Sequence, residues 1–226
     1  LIDGKEMAVA SSLNPQAKFG ADVVTRISYT NQEENGLEKL QSVVVKVIDD
    51  LIGEAAEKAG ISKDDIYAVT IAGNTCMHHL FVGLTPRHIA LAPYVPVTSE
   101  YMDFNASSFN ININPAGRIY AFPNIAGFVG GDTVAVILAT EMDKSPDIKL
   151  AVDIGTNGEI VLGSREGMLS CSTAAGPAFE GTQISSGMRG ADGAIDHVNY
   201  ENGVNYTVIG GGKPKGICGS GLLDAV

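Results

Sequence analysis

Between Glu33 and Ala59 the apolar residues Leu37, Leu40, Val44, Val47, Ile48, Leu51 and Ala55 fall at three- and four-residue spacings, which lines them along one face of an α-helix. Gly60 follows as a stop, because glycine takes the left-handed backbone of a helix end without steric cost. Ser62 to Asp65 reads as a capped turn, Tyr67 to Ala72 as a buried strand, and Gly73-Asn74-Thr75 as the entry to a short helix ending near Gly83. From Leu84 to Pro115 proline, asparagine and serine break every period, which predicts a long irregular excursion rather than core. Arg118 to Phe122 resumes as a strand and Val129 to Met142 as a helix. The run Asp143-Lys144-Ser145-Pro146-Asp147 is the expected domain boundary.

Beyond the boundary the pattern changes. Lys149 to Ile154, Glu159 to Leu162 and Met168 to Thr173 read as three antiparallel strands, the first two joined by the tight turn Gly155-Thr156-Asn157-Gly158. A helix is predicted from Ala178 to about Ser186, then a hairpin of Ala194 to Tyr200 and Val204 to Ile209 around Glu201-Asn202-Gly203. Gly216 to Gly221 opens a last helix. The chain starts at Leu1 inside what reads as a hairpin (1–6, then 7–9) and stops at Val226 within a helical pattern, so both ends read as cut.

Composition narrows the class. With 226 residues, 45% hydrophobic and 18% charged, the chain is no disordered segment and suits one large or two small domains. The formal net charge of −11 and the scattering of the 15 Lys and Arg residues argue against nucleic-acid or anionic-membrane partners. No apolar run approaches the roughly 18–20 residues of a membrane span and no signal peptide is evident, so a cytoplasmic location is expected. Cys76, Cys171 and Cys218 lie far apart, and a self-contained zinc or Fe–S site needs about four ligands.

The strongest local chemistry is DIGTNGE, residues 153–159. A carboxylate at a strand end followed by a glycine-flanked turn places backbone N–H groups and the Thr156 hydroxyl around a point where phosphate can sit. Asp153 then suits Mg²⁺, held through its waters. The same residues also suit a plain hairpin with an Asn157-Gly158 turn and Asp153 bonding its own backbone. AAGPAFEG, residues 174–181, offers small residues at a helix entrance, a place for a second phosphate or nucleotide sugar, or simply a helix start with Pro177 in its first turn. In GFVGGD, residues 127–132, Asp132 suits either a water-orienting carboxylate or a helix-dipole partner. Of the adjacent His78 and His79, one is expected in the core and one at the surface. His88 and His197 read as isolated structural residues, Gly210 to Gly212 as a turn, and Cys218 as a packing cysteine at a helix start.

These pieces carry a resemblance. DIGTNGEIVLG at 153–163, CSTAAGPAFEGTQISSGMRGADGAID at 171–196 and GICGSGLLDAV at 216–226 resemble the C-terminal ATPase region of the reductive activators of corrinoid proteins, which belong to the acetate/sugar kinase, heat-shock and actin (ASKHA) superfamily. NPQAKFGADVVTRI at 14–27 and AGNTCMHHLFVG at 72–83 resemble the first half of that region. The resemblance implies an α/β fold of two ribonuclease-H-like half-domains with mixed sheets, at 1–145 and 147–226, each incomplete. A cleft between them would be lined by Asp132, Asp153 and Gly176.

It further implies an activator that uses ATP and Mg²⁺ to drive electrons from an Fe–S cluster onto the Co(II) corrinoid of a partner protein. The cluster is expected only in an N-terminal ferredoxin-like domain outside this chain. Carried over by position, Asp153, Gly155, Thr156, Asn157 and Gly158 form the second phosphate loop, with Asp153 as metal partner. Gly176, Pro177, Glu180 and Gly181 line the nucleotide. The first phosphate hairpin, the adenosine strand and the cluster cysteines are missing, so the chain alone is expected to be inactive. A homodimer of the intact protein stays open. So do three rivals: a nucleotide-gated docking scaffold without turnover, a small-molecule kinase of the same superfamily, and an activator of 2-hydroxyacyl-CoA dehydratases.

Overall fold

The computed structural model describes residues 4–226 except 156, 177, 179, 180, 182, 183 and 202. Its architecture is mixed α/β, as expected, and divides into two compact units, 1–140 and 141–226.

The first unit holds helices α1 (Val23–Gln32), α2 (Gly36–Ala59), α3 (Thr75–Val82) and α4 (Gly131–Ala139) and strands β1 (Ala68–Ile71), β2 (Met102–Asn105) and β3 (Arg118–Ala121). β3 is central, parallel to β1 and antiparallel to β2. The register puts Val69, Ile71, Phe104, Ile119 and Ala121 on one face, and Val44, Val45, Phe81 and Ile119 pack in the core there. A second cluster of Ile27, Leu40, Cys76, Leu80 and Ile89 joins α1, α2 and α3. Ser62 caps its turn, Asn74 caps α3 by accepting the Met77 N–H, and Gly60 and Gly83 end their helices in the left-handed region, all as the punctuation of the sequence predicts.

Several expectations are corrected here. Residues 4–9 form no strand, so the described part of the opening hairpin is not formed. β1 alternates between exposed and half-buried residues because it is an edge strand. The excursion over 84–115 supplies β2 and buries Ile89, Ala106, Ile111 and Ile113. The helix expected to reach Met142 ends at Ala139; Glu141 turns left-handed and Met142 is buried in a separate 3-10 turn.

Both histidines of α3 are buried, not one, since α3 is enclosed on nearly every side. His79 is satisfied: Nδ1 lies 2.8 Å from Thr75 O and Nε2 accepts the Val97 N–H at 3.0 Å, which fixes a neutral tautomer. Burial, reinforced by the neighbouring His79, pushes His78 down to about 4. Above pH 6.5 neither the folded nor the unfolded chain carries that proton. As the pH falls from 6.5 towards 4 only the unfolded chain takes it up, so stability is lost through this window. Urea unfolding at pH 7 and 4.5 is expected to show a drop of about 2–3 kcal/mol attributable to His78; an equal drop in His78→Leu would disprove the attribution.

The second unit contains β4 (Lys149–Ile154), β5 (Asn157–Ser164) and β6 (Gly167–Ala174) as an antiparallel meander. A smaller sheet of β7 (Ala194–Asn199), β8 (Asn205–Val208) and β9 (Gly216–Ile217) has the order β8-β7-β9, with β7 parallel to β9. Helix α5 (Gly219–Ala225) closes it. The boundary run is anchored in this unit, because Ser145 O accepts the Arg165 N–H at 2.9 Å. The helix predicted over 178–186 falls largely outside the described residues. Its end is a turn, with Ser186 at φ 61 and Gly187 bridged to Ile217.

Candidate functional site

β4 and β5 are registered so that Asp153 faces Glu159 and Ile154 faces Gly158, leaving 155–157 as the connecting loop, which the Gly155 N–H closes by donating to Asn157 O at 3.1 Å. Asn157 and Gly158 themselves pair with Ala174 and Thr173 of β6. The two-residue Asn-Gly hairpin turn is therefore not what forms. Its residues are held in β5. Thr156 lies outside the described residues.

The pairing brings the exit of β6 to the same corner. A Cβ on Gly158 would lie 3.6 Å from Thr173 Cγ2 and 3.7 Å from Ala175 Cβ, so Gly155, Asn157, Gly158 and the 174–176 segment cluster at one end of the meander. Gly176 has φ 90, a backbone open to glycine. Asp153 is exposed and shares its sheet face with Glu159 and Ser172, whose hydroxyl donates to Glu159 Oε1 at 2.9 Å. Glu159 and Ser172 were absent from the sequence-derived site. The pairing of Ile154 with Gly158 places Glu159 opposite Asp153.

Other predicted residues stand differently. Pro177 and Glu180 lie outside the described residues. Gly181 is buried, and a Cβ there would overlap Met188 O, so packing explains that glycine without a ligand. In the first unit Asp132 sits in the first turn of α4, its N–H donating to Gly73 O at 3.3 Å and its Oδ1 accepting the Thr133 N–H at 2.8 Å. That bond is the dipole-partner geometry. His197 is not isolated: Nδ1 lies 3.0 Å from Asp224 Oδ2, which also accepts the Val198 N–H at 3.1 Å. The Val198 bond first, then His197, holds Asp224 below the usual carboxylate range. Cys218 is buried at the start of α5. Burial opposes its ionisation, yet hydrogen bonds from Ser220 and Gly221 outweigh it and lower the thiol. Among the described residues no group of three or more His, Cys, Asp or Glu could hold a metal ion, and no helix is long and apolar enough to cross a membrane.

Chemically, the corner offers an exposed carboxylate beside a small-residue exit, a carboxylate suited to a hydrated cation. Comparison with known proteins gives the family. Residues 1–145 match the model for the RACo middle region, and residues 147–226 match that for the C-terminal domain of RACo, the ASKHA domain. The chain is 41% identical over 217 residues to the corrinoid activation enzyme RamQ of Eubacterium limosum, covering 96% of this chain and 36% of that protein. It is 42% identical over 79 residues to a [Co(II) methylated amine-specific corrinoid protein] reductase of Methanosarcina barkeri, covering 35% of this chain and 15% of that protein. A solved structure described as a reductive activator for corrinoid, iron-sulfur protein superposes with a TM-score of 0.88 at 43% identity, covering 99% of this chain and 36% of the other. The chain thus spans about a third of the length of RamQ and of the solved activator.

Proposed function

This chain belongs to the RACo family, and from that premise we propose that, in the whole protein, it is part of an ATP-driven activator that reduces the Co(II) corrinoid of a partner protein to Co(I). The observation that carries the reading is the corner of the meander, where an exposed Asp153 stands at the end of β4 beside the 155–157 loop and the 174–176 exit. The ASKHA match covers this unit, and an ASKHA domain is a nucleotide-binding domain.

The residues fit Mg²⁺–ATP. An exposed carboxylate suits the waters of Mg²⁺, a cation that sheds them reluctantly, and among the described residues a Cβ built on Gly176 meets nothing within 4 Å. Bound Mg²⁺–ATP would supply the phosphoanhydride bond whose hydrolysis drives an uphill one-electron transfer. In this reading Asp153 orients metal waters, and the Gly155, Asn157 and Gly158 backbone with the Thr156 hydroxyl binds phosphate. Gly176, Pro177, Glu180 and Gly181 border the nucleotide. The Fe–S cluster that donates the electron lies in a part of the whole protein outside residues 1–226, and the protein works in the cytoplasm. The acidic balance of −11 favours a partner with a basic docking patch and an association weakened by salt.

The test is to measure the ATPase rate of the whole protein against candidate corrinoid proteins and small hydroxylated or carboxylated acceptors. Stimulation by a corrinoid protein is expected. Phosphorylation of a small acceptor with no response to any corrinoid protein would make this a kinase, and nucleotide binding without turnover would make it a scaffold.

A further inference from the structure

Among the described residues, the buried side-chain nitrogens and oxygens lacking a hydrogen bond are both ring nitrogens of His78, both amide atoms of Asn124 and the hydroxyl of Thr133. These residues are only 3%, 5% and 3% exposed. They sit on three segments pinned together at one point. A Cβ built on Gly130, the residue capping α4, would lie 2.6 Å from Asn74 Cα and Thr75 N at the start of α3, and one on Gly131 would lie 3.0 Å from Phe122 Cβ. The Thr75 hydroxyl donates to Ala126 O at 2.6 Å.

Helical period extends the contact. His78 is four residues beyond Asn74 and Thr133 three beyond Gly130, so each stands one turn from the contact on the face that makes it. Asn124 lies between Phe122, whose N–H donates to Ile71 O at 3.0 Å, and Ala126. α3 follows β1 and α4 follows β3, two parallel strands, and each orphan is carried by one of the segments that meet around Gly130 and Thr75.

We infer that His78, Asn124 and Thr133 enclose an internal hydration site of one or two water molecules. An imidazole, a carboxamide and a hydroxyl can each donate and accept, and none of the three carries charge while His78 stays neutral, a set suited to water rather than to an ion. A buried polar group left unmade is costly, and native interiors satisfy such groups with ordered water. The water bridges α3, the 122–126 connection and the first turn of α4, and so fixes the backbone that carries Asp132. The inference stands on the first unit alone and is independent of the activator reading.

The sign of one substitution separates the hydrated site from a dry one. Thr133→Val keeps the shape and removes the hydroxyl. If the site is hydrated, the change strands its water and lowers Tm, by about 2–4 °C; if the hydroxyl is a dry orphan, its removal raises Tm. A crystal structure of the whole protein at about 1.5 Å is expected to show ordered water within hydrogen-bond distance of Thr133 Oγ1 and of His78 or Asn124, and this reading needs no variant to fold. Absence of that density, direct bonds among the three side chains, or a raised Tm in Thr133→Val would overturn the site.

Discussion

Asp153→Asn in the whole protein is expected to lower ATP turnover about 10²–10³-fold, the scale on which losing one preorganised electrostatic group acts in a transition state, with little change in Tm. The side chain is exposed at the end of β4, so its removal opens no cavity, and the β4–β5 ladder runs through its backbone whatever the side chain. Asparagine keeps the shape and removes only the charge that the proposed role requires. Because the effect is on the chemical step, kcat falls while nucleotide affinity measured without Mg²⁺ stays within a few-fold. Stopped ATPase assays with a Mg²⁺ titration read both quantities. Unimpaired Mg²⁺-dependent hydrolysis would show that the carboxylate is no metal partner.

Gly130→Ala is expected to destabilise the first unit strongly. Its φ of −98 is open to any residue, so the penalty is wholly one of contact: the new methyl would lie 2.6 Å from Asn74 Cα and Thr75 N, backbone atoms that no rotamer change can move. Overpacking of this kind costs about 3 kcal/mol, which for a unit of this size lowers Tm by on the order of 10 °C. Gly73→Ala is the internal control, since its Cβ would meet Met77 Cβ at an ordinary 3.7 Å. Thermal unfolding of the two variants side by side checks the claim. Equal Tm values would mean that α3 and α4 do not meet as described.

Much of this was legible in the chain because the signals were periodic or punctuated. α2, α3 and the β4–β6 meander combine a repeat of apolar positions with a capping Asn74 or a glycine stop, and local chemistry and burial agree there. The 84–115 segment was misread for a physical reason. Its core residues, Ile89, Ala106, Ile111 and Ile113, enter singly from irregular backbone, and isolated apolar residues make no period to detect. α1 escaped notice likewise, with Ile27 alone buried along its length. At the candidate site the sequence exposed the glycine-flanked turn and Asp153 but not which two residues would pair, and the competing Asn157-Gly158 turn was settled only by the register with β6. Asp132 shows the opposite limit: its residue type suited two roles, and the bond it makes to the Thr133 N–H belongs to the helix end.

The central claim, ATP-driven reduction of a corrinoid partner, is tested most directly by following cobalt itself. The whole protein, its reduced electron donor and a Co(II) corrinoid protein are mixed with ATP or ADP, and the Co(II) electron paramagnetic resonance signal is followed alongside the visible spectrum. The account predicts loss of the Co(II) signal and appearance of Co(I) with ATP, neither with ADP, and neither with Asp153→Asn. Cobalt reduction at the same rate and to the same extent without ATP, or ATP hydrolysis by the wild-type protein that leaves the Co(II) signal intact, would contradict it.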